Sequence, residues 1–174
     1  MNVLLMPNTD KKDAVACVRD VAKTLKRLGA EVTLDVRYQK LIPKEAPITY
    51  GAFYDLIRRC DCVIAIGGDG TILHSAKHAA MLGKPVLGIN LGRLGFMAGL
   101  ESNELDKLSR LFTKEVRLDR RMMLEAIHRT ADKTTCYPAL NDVVVSKGSL
   151  SRIIDLDVLC CGKKVGSYRA DGII

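Results

Sequence analysis

Several familiar site patterns are missing from this sequence. Trp is absent, aromatic residues make up only 5% of the chain, and no basic run is interleaved with aromatics, which argues against binding single-stranded nucleic acid by base stacking. No Walker A ending of Gly-Lys-Ser/Thr occurs, which argues against a P-loop ATPase. No apolar run approaches the roughly 20 residues of a membrane helix, and the N-terminus lacks the basic region of a signal peptide. We therefore expect a cytoplasmic protein without a membrane or nucleic-acid partner.

The metal-binding and disulfide patterns are also missing, although cysteines and histidines are present. No C-x-x-C spacing occurs, and reduced cysteines acting as small core residues are the favoured interpretation. His74 and His78 have a spacing that can bind zinc, but no Glu follows His74 as in zinc proteases, and no third ligand is evident. A solvated or packed helix face is the better interpretation, so no metal-ligating side chain is assigned. The six cysteines are Cys17, Cys60, Cys62, Cys136, Cys160 and Cys161.

The composition otherwise describes an ordinary globular protein. Hydrophobic residues make up 48% of the 174 residues and charged residues 27%, enough for one sizeable domain or for one domain and part of another. The formal net charge of +7 favours anionic ligands such as phosphates and nucleotides.

The most informative stretch runs from Cys62 to Leu73. A short apolar run typical of a buried strand leads into Gly67-Gly68-Asp69-Gly70-Thr71, and helical spacing follows. In such a turn, backbone N–H groups and a helix N-terminus face an anion. A carboxylate there makes sense if it accepts a proton or helps to hold a metal beside phosphates. The residues alone leave two interpretations open: phosphoryl transfer, or a tight turn in which Asp69 caps the helix.

A second glycine loop, Asn90 to Met97, follows the predicted strand Pro85 to Ile89. The carboxyl ends of parallel strands meet at one edge of a sheet, so we expect both glycine loops to converge on one crevice. Phe96 could stack on a base or anchor the loop in the core, and both remain open. Arg93 could meet phosphate, although a solvated loop charge is the usual case.

The order β-α-β-loop-α-β-α in the first part of the chain predicts an α/β domain with a parallel sheet. Strand-like alternation and turn signals dominate the later part, including a predicted hairpin turn at Gly162-Lys163-Lys164. We therefore predict a Rossmann-like α/β nucleotide-binding domain over 1–100, a linker over 101–115, and the beginning of a β-rich, β-sandwich-like domain over 116–174. Because the chain ends on an apolar run, we expect the parent protein to continue beyond Ile174 or the remainder to be supplied separately.

Four motifs, in this order, resemble those of the NAD kinase family. The first, Gly67 to Thr71, also occurs in diacylglycerol and sphingosine kinases. The second, Asn90-Leu-Gly-Arg-Leu-Gly-Phe96, resembles NAD kinases specifically, and so do Asn141-Asp142 and Tyr168-Arg-Ala-Asp-Gly172. Together they span most of the chain from residue 62 to its end.

The resemblance implies transfer of the γ-phosphate of ATP, or of polyphosphate in some bacteria, to the 2′-hydroxyl of the adenosine ribose of NAD. It further implies Mg²⁺ or another divalent cation, and a homo-oligomer (dimer or tetramer) of the full-length protein. Asp69 matches the catalytic acid, and Asn141 the adenine-ribose contact. Arg169 and Asp171 match positions near the nicotinamide-ribose end. The predicted nucleotide-binding residues are Gly67, Gly68, Gly70, Thr71, Phe96, Asn141, Asp142, Arg169 and Asp171.

The chain departs from the family pattern in two ways. The family usually has Asn-Glu where this chain has Asn141-Asp142. Because Asp is shorter than Glu by one methylene group, the carboxylate of Asp142 lies closer to the backbone. The family's threonine- and serine-rich motif after the Asp-Gly pair lies beyond Ile174, so we expect that this chain alone has an incomplete site. The alternatives are a non-catalytic nucleotide-binding or regulatory module, and a lipid kinase that shares the first motif.

Overall fold

The structure is a computed structural model that describes residues 1–42, 46–92, 95–113, 115–149 and 152–174. The chain divides into two compact units, Met1–Arg120 and Arg121–Ile174. Each unit has its own sheets, and each is described separately below.

The first unit is a six-stranded parallel sheet with helices between its strands. Its strand order is β3-β2-β1-β4-β5-β6, and every neighbouring pair is parallel. The predicted α/β class with a parallel sheet is therefore confirmed. The elements are β1 (Asn2–Pro7), α1 (Ala14–Arg27), β2 (Glu31–Asp35), β3 (Thr49–Gly51), α2 (Phe53–Arg59), β4 (Cys62–Gly67), α3 (Asp69–Ala80), β5 (Val86–Asn90) and β6 (Leu100–Glu101), with 3-10 helices at Val36–Tyr38 and Leu105–Phe112.

The core of the first unit follows from the alternation of side chains along its central strands. Successive residues of a strand point to opposite faces, so Val3 and Leu5 of β1 join one cluster with α1, whereas Leu4 joins another with Ile57 of α2. All six residues of β4 are buried, as expected for a strand covered on both faces. The apolar face of α1 packs on this sheet, and the helix ends before Gly29, whose φ of +82° suits the left-handed position after a helix.

The strand order places a topological switch point beside β1. This strand pairs with β2 on one side and with β4 on the other, so the connections leave it in opposite directions. Ligands of open parallel sheets bind outside the carboxyl ends of the strands at such a point. The turn that contains Asp69 follows β4 directly, next to that edge.

The segment between the two predicted domains carries regular structure. Glu101 ends β6, and a 3-10 helix follows over Leu105–Phe112 within the predicted linker. Leu108 of this helix is fully buried in the core of the first unit. The predicted domain limits at residues 100 and 116 stay a prediction.

The second unit consists of antiparallel strand pairs. The described residues of this unit form three two-stranded sheets, β7–β8, β9–β12 and β10–β11, and none of these residues is buried. The hairpin turn between β10 and β11 is Cys161-Gly162, both with positive φ, so the predicted turn at Gly162-Lys163-Lys164 was placed too late. The strands are β7 (Leu124–Arg129), β8 (Thr134–Ala139), β9 (Val145–Ser146), β10 (Ile154–Cys160), β11 (Lys163–Ala170) and β12 (Gly172–Ile173).

The cysteines divide between the units. All six are free; Cys17, Cys60 and Cys62 are buried in the first unit, as predicted, whereas those of the second unit are exposed. The core prediction is wrong for Cys136, Cys160 and Cys161, which are exposed on two-stranded pairs or at the hairpin turn, where the described residues bury no side chain. Within the described ranges, no helix has the length and apolar character needed to cross a bilayer.

Candidate functional site

Asp69 joins the two glycine loops. It is the first residue of α3, directly after the turn that ends β4. Its carboxylate accepts hydrogen bonds from the backbone N–H of Phe96 at 3.0 Å and from that of Met97 at 3.3 Å. The N-cap residue is Gly68, so Asp69 is not the helix cap that one interpretation of the sequence offered. The expectation that both loops converge is confirmed.

The glycine turn presents its backbone openly. A Cβ added at Gly68 or Gly70 would meet no atom within 4 Å, so the N–H groups at the start of α3 are open to a ligand on that side. Gly67 is different, because a Cβ there would lie 2.3 Å from the Thr71 hydroxyl oxygen. Gly67 thus allows close helix–strand packing, and Gly68 and Gly70 leave room for an anion at the positive end of the helix dipole.

Asn90 supports the second loop. It is almost fully buried, and its amide nitrogen donates to the Glu101 carboxylate at 3.1–3.2 Å and to the Gly92 carbonyl at 3.3 Å. The Leu91 N–H donates to the carbonyl of Gly67 at 2.8 Å, which ties this loop to the end of β4. Glu101 was not among the predicted site residues, and its only signal in the sequence is an acid that follows a short apolar segment.

Phe96 and Arg93 had open interpretations in the sequence. Phe96 is 99% exposed, so the alternative in which it anchors the loop in the core is wrong. Its ring is available for stacking. Arg93 lies outside the described residues.

A cleft of about 480 Å³ opens beside the glycine turn, and sequence reasoning missed it. It lies at the carboxyl ends of β1 and β2 and between α2 and α3, a position that the parallel-sheet rule could have indicated. Aromatic rings and imidazoles line it together with the Asp35–Arg37 ion pair. Its lining residues are Leu5, Met6, Pro7, Asp35, Arg37, Tyr38, Phe53, Tyr54, Thr71, His74, Ser75 and His78.

Asp35 fixes the position of Arg37 at this cleft. The buried carboxylate accepts hydrogen bonds from the Arg37 N–H and Nε, both at 2.9 Å, and lies 2.8 Å from the second guanidinium nitrogen. Burial by itself raises the pKa of the Asp35 carboxyl, but the hydrogen bonds and the charge of Arg37 outweigh it and leave the pKa below its usual value. The exposed guanidinium therefore stays beside an ionised carboxylate.

The two histidines of α3 stack edge to face at this cleft. The ring centroids of His74 and His78 are 4.9 Å apart, and Phe53 packs against His78 with a centroid distance of 5.2 Å. Burial lowers the pKa of His78, and the charges of His74 and Lys77 lower it further, so the neutral imidazole is favoured. In the part of the chain that the structure describes, no three His, Cys, Asp or Glu side chains form a metal-binding group.

The remaining predicted site residues belong to the second unit. Asn141 and Asp142 are exposed between β8 and β9. Arg169 is exposed on β11 and lies 3.7 Å from the carboxylate of Asp155. Asp171 pairs with Lys147 at 2.8 Å. The structure thus brings Asp69, Phe96 and the first-motif residues together in the first unit, and the roles of the second-unit residues stay predictions.

Comparison with known proteins adds independent information. Residues 3–116 match the model of the ATP-NAD kinase N-terminal domain. The NAD kinase of Heliobacterium modesticaldum is 37% identical over 170 residues, which cover 96% of this chain and 59% of that protein. The NAD kinase of Desulforamulus reducens is 36% identical over 182 residues, which cover 100% of this chain and 61% of that protein. The chain therefore spans about 60% of the length of these curated relatives.

The fold is also found among solved structures. Yeast NADH kinase, crystallised in complex with NADH, superposes with a TM-score of 0.78 at 22% sequence identity, covering 99% of this chain and 56% of that one. This likeness shows a shared fold. Since the family model covers more than half of the 174 residues and the curated relatives carry the same family name, the chain belongs to the ATP-NAD kinase family.

Proposed function

We propose that the protein containing this chain is an NAD kinase. It transfers the γ-phosphoryl group of ATP to the 2′-hydroxyl of the adenosine ribose of NAD and releases NADP. The observation that carries this proposal is the Asp69 carboxylate, held by two backbone N–H groups beside an open glycine turn at the start of α3. A carboxylate and an anion-binding backbone so close together suit phosphoryl transfer to an alcohol.

Asp69 is the general base in this proposal. It accepts the proton of the ribose 2′-hydroxyl as that oxygen attacks the γ-phosphorus and the bond from phosphorus to the β–γ bridging oxygen breaks. The N–H groups of Gly68 and Gly70 donate hydrogen bonds to phosphate oxygens in this proposal, because no side chain blocks them. Gly67 and Thr71 lie against each other and fix the conformation of the turn.

The cleft beside the turn suits the phosphoryl donor. Tyr38, Phe53 and Tyr54 offer apolar and aromatic surface for a planar ring, and Arg37 offers a cation fixed by Asp35. Within the described residues no cluster of three potential metal ligands exists, so a Mg²⁺ ion would be held mainly by the donor's phosphates and water. Such an ion would neutralise the charge on the transferring group.

The proposed NAD contacts follow the family motifs residue by residue. Phe96 stacks on the adenine of NAD, and Asn141, with Asp142 beside it, contacts the adenine ribose. Arg169 and Asp171 serve the nicotinamide-ribose end. We further propose an α/β nucleotide-binding domain over 1–100 and a β-rich domain from 116 onward, in a cytoplasmic homo-oligomer.

The test of the base role is Asp69→Asn in the complete reading frame that contains this sequence. The amide keeps the size of the side chain but cannot act as the base, so we expect NADP formation to fall by about 10²- to 10⁴-fold. The NAD dissociation constant, measured by calorimetric titration, should change little. Asp55→Asn, at an exposed residue paired with Arg58, is the matched control and should retain full activity.

Three results would contradict the proposal in different ways. Comparable turnover in Asp69→Asn would remove the base role. NAD binding without turnover in the wild-type protein would favour a non-catalytic nucleotide-binding module. Phosphorylation of diacylglycerol in place of NAD would favour a lipid kinase.

A further inference from the structure

Gly95 lies unusually close to the Asp69 carboxylate. A Cβ built at Gly95 would stand 2.1 Å from Asp69 Oδ1, 2.6 Å from Cγ and 2.9 Å from Oδ2. These separations are far below van der Waals contact, so any side chain at residue 95 would have to displace the carboxylate. The next two residues, Phe96 and Met97, donate the hydrogen bonds that hold it.

The requirement for glycine at this position is one of space. The obstacle to a side chain at Gly95 is the Asp69 carboxylate, which the Cβ would meet. Gly92, three residues earlier, has a φ of +127° and open space around it. Glycine is required there by the backbone conformation and not by lack of space. Glycine at residue 95 therefore serves the approach of the Asp69 side chain rather than a turn of the chain.

We propose that Gly95 is a positioning residue, whose missing side chain lets the Phe96 and Met97 amides orient the Asp69 carboxylate for proton abstraction. The inference rests on the base role proposed above for Asp69. A short carboxylate with two rotatable bonds has several orientations, and two N–H donors on one side select one of them. The carboxylate is then oriented before substrate binds, and such preorganisation increases the rate of the chemical step by a large factor.

This arrangement predicts a separation of catalysis from stability. The atoms that a Cβ at residue 95 would meet are the end of the Asp69 side chain, which can rotate away. Gly95→Ala should therefore fold with a midpoint of thermal unfolding close to that of the wild type. Its carboxylate, however, would leave the two N–H donors, and displacement by about an ångström can cost on the order of 10²-fold in rate.

The decisive experiment measures kcat and KM for NAD in the complete protein. We expect Gly95→Ala to lower kcat by about 10- to 100-fold and to leave KM within about twofold. Gly99→Ala is the matched control in the same segment, because its Cβ would meet only the end of the Leu87 side chain, at 2.9 Å. It should retain the wild-type kcat.

A double variant tests whether Gly95 acts through Asp69. In the Asp69→Asn background the base is already lost, so adding Gly95→Ala should lower kcat by less than about twofold further. A multiplicative loss in the double variant would overturn the positioning role, and so would a kcat for Gly95→Ala within threefold of the wild type.

An activity-independent measurement separates failure of this inference from failure of the proposed function. If the wild-type protein does not phosphorylate NAD, the Phe96 and Met97 amide proton resonances still report the contact. Gly95→Ala should shift both resonances toward their positions in Asp69→Ala. Resonances unchanged from the wild type in Gly95→Ala would overturn the inference whether or not the enzyme turns over NAD.

Discussion

The two units of this chain differ in how they hold their candidate site residues. The first unit places Asp69 at the end of a fully buried strand of a six-stranded sheet with core clusters on both faces. The second unit carries Asn141 in the connection between β8 and β9 and Arg169 on the antiparallel strand β11, and none of its described residues is buried. The same chain thus combines a candidate catalytic turn held by a packed core with candidate binding residues in a unit whose described residues are not buried.

The difference follows from how each kind of sheet is stabilised. Parallel strands connected through helices bury both faces, whereas a two-stranded pair leaves most of its surface in water and is marginally stable by itself. Ordering of a candidate site residue therefore costs little where a packed core already fixes the backbone. We conclude that the geometry around Asp69 is fixed before a ligand binds. The positions of the candidate site residues in the second unit depend on the groups that pack against that unit.

Hydrogen exchange should show the largest difference between the two units. Strand β4 is paired on both sides, so we expect its amides to open only with global unfolding, whereas amides of the β10–β11 hairpin are protected by one strand pair. We expect β4 amides to exchange at least about a thousandfold more slowly than those of the hairpin. Equal protection of the β4 and hairpin amides, measured by NMR or mass spectrometry, would contradict the difference in stability between the two units.

A matched pair of leucine truncations compares packing directly. Leu5 is 1% exposed in the first core cluster, so Leu5→Ala should lower the free energy of unfolding by about 2–5 kcal/mol. Leu156 on β10 is only half-buried, and Leu156→Ala should cost less than about 1 kcal/mol. Urea unfolding followed by circular dichroism measures both, and equal losses would show that the second unit has a core of its own.

Asn141→Ala separates binding from stability in the second unit. Asn141 is exposed, so its truncation should change the free energy of unfolding by less than about 0.5 kcal/mol. Loss of its proposed ribose contact should weaken NAD binding by about fivefold, equivalent to roughly 1 kcal/mol. Calorimetric titration of NAD into the complete protein measures this effect, with Ser149→Ala, at another exposed residue of the second unit, as control. Unchanged affinity would exclude the contact.

The smallest effect concerns the pH dependence of the first unit. The pKa of Asp35 is lower in the folded chain than its ordinary value near 3.8, so its pairing stabilises the fold above that value and is lost as pH falls through the folded pKa. Between about pH 5 and pH 2, the wild type should therefore lose more stability than Asp35→Asn. At neutral pH, Asp35→Asn should cost about 1 kcal/mol or less, since Arg37 is mostly exposed. An equal loss of unfolding free energy with falling pH in the wild type and in Asp35→Asn, measured by urea unfolding, would contradict the lowered pKa of Asp35.

Local patterns predicted the elements of the first unit well. The predicted order β-α-β-loop-α-β-α is found as β1, α1, β2, the connection to α2, and then α2, β4 and α3. The short strands β3 and β6 were missed. Each has only two or three residues, too few for a period, and each exists because a neighbouring strand offers it hydrogen bonds.

The glycine turn, its acid and the open start of α3 were determined by the sequence itself, because they depend on residues adjacent in the chain. Only the tertiary structure decided that Asp69 reaches residues 96 and 97, that Asn90 pairs with Glu101, and that Asp35 and Arg37 border a cleft with α3. These contacts join residues from different strand ends, so they arise from the order of strands in the sheet. Strand order is set by how the whole chain buries its apolar faces, which no short stretch of sequence encodes.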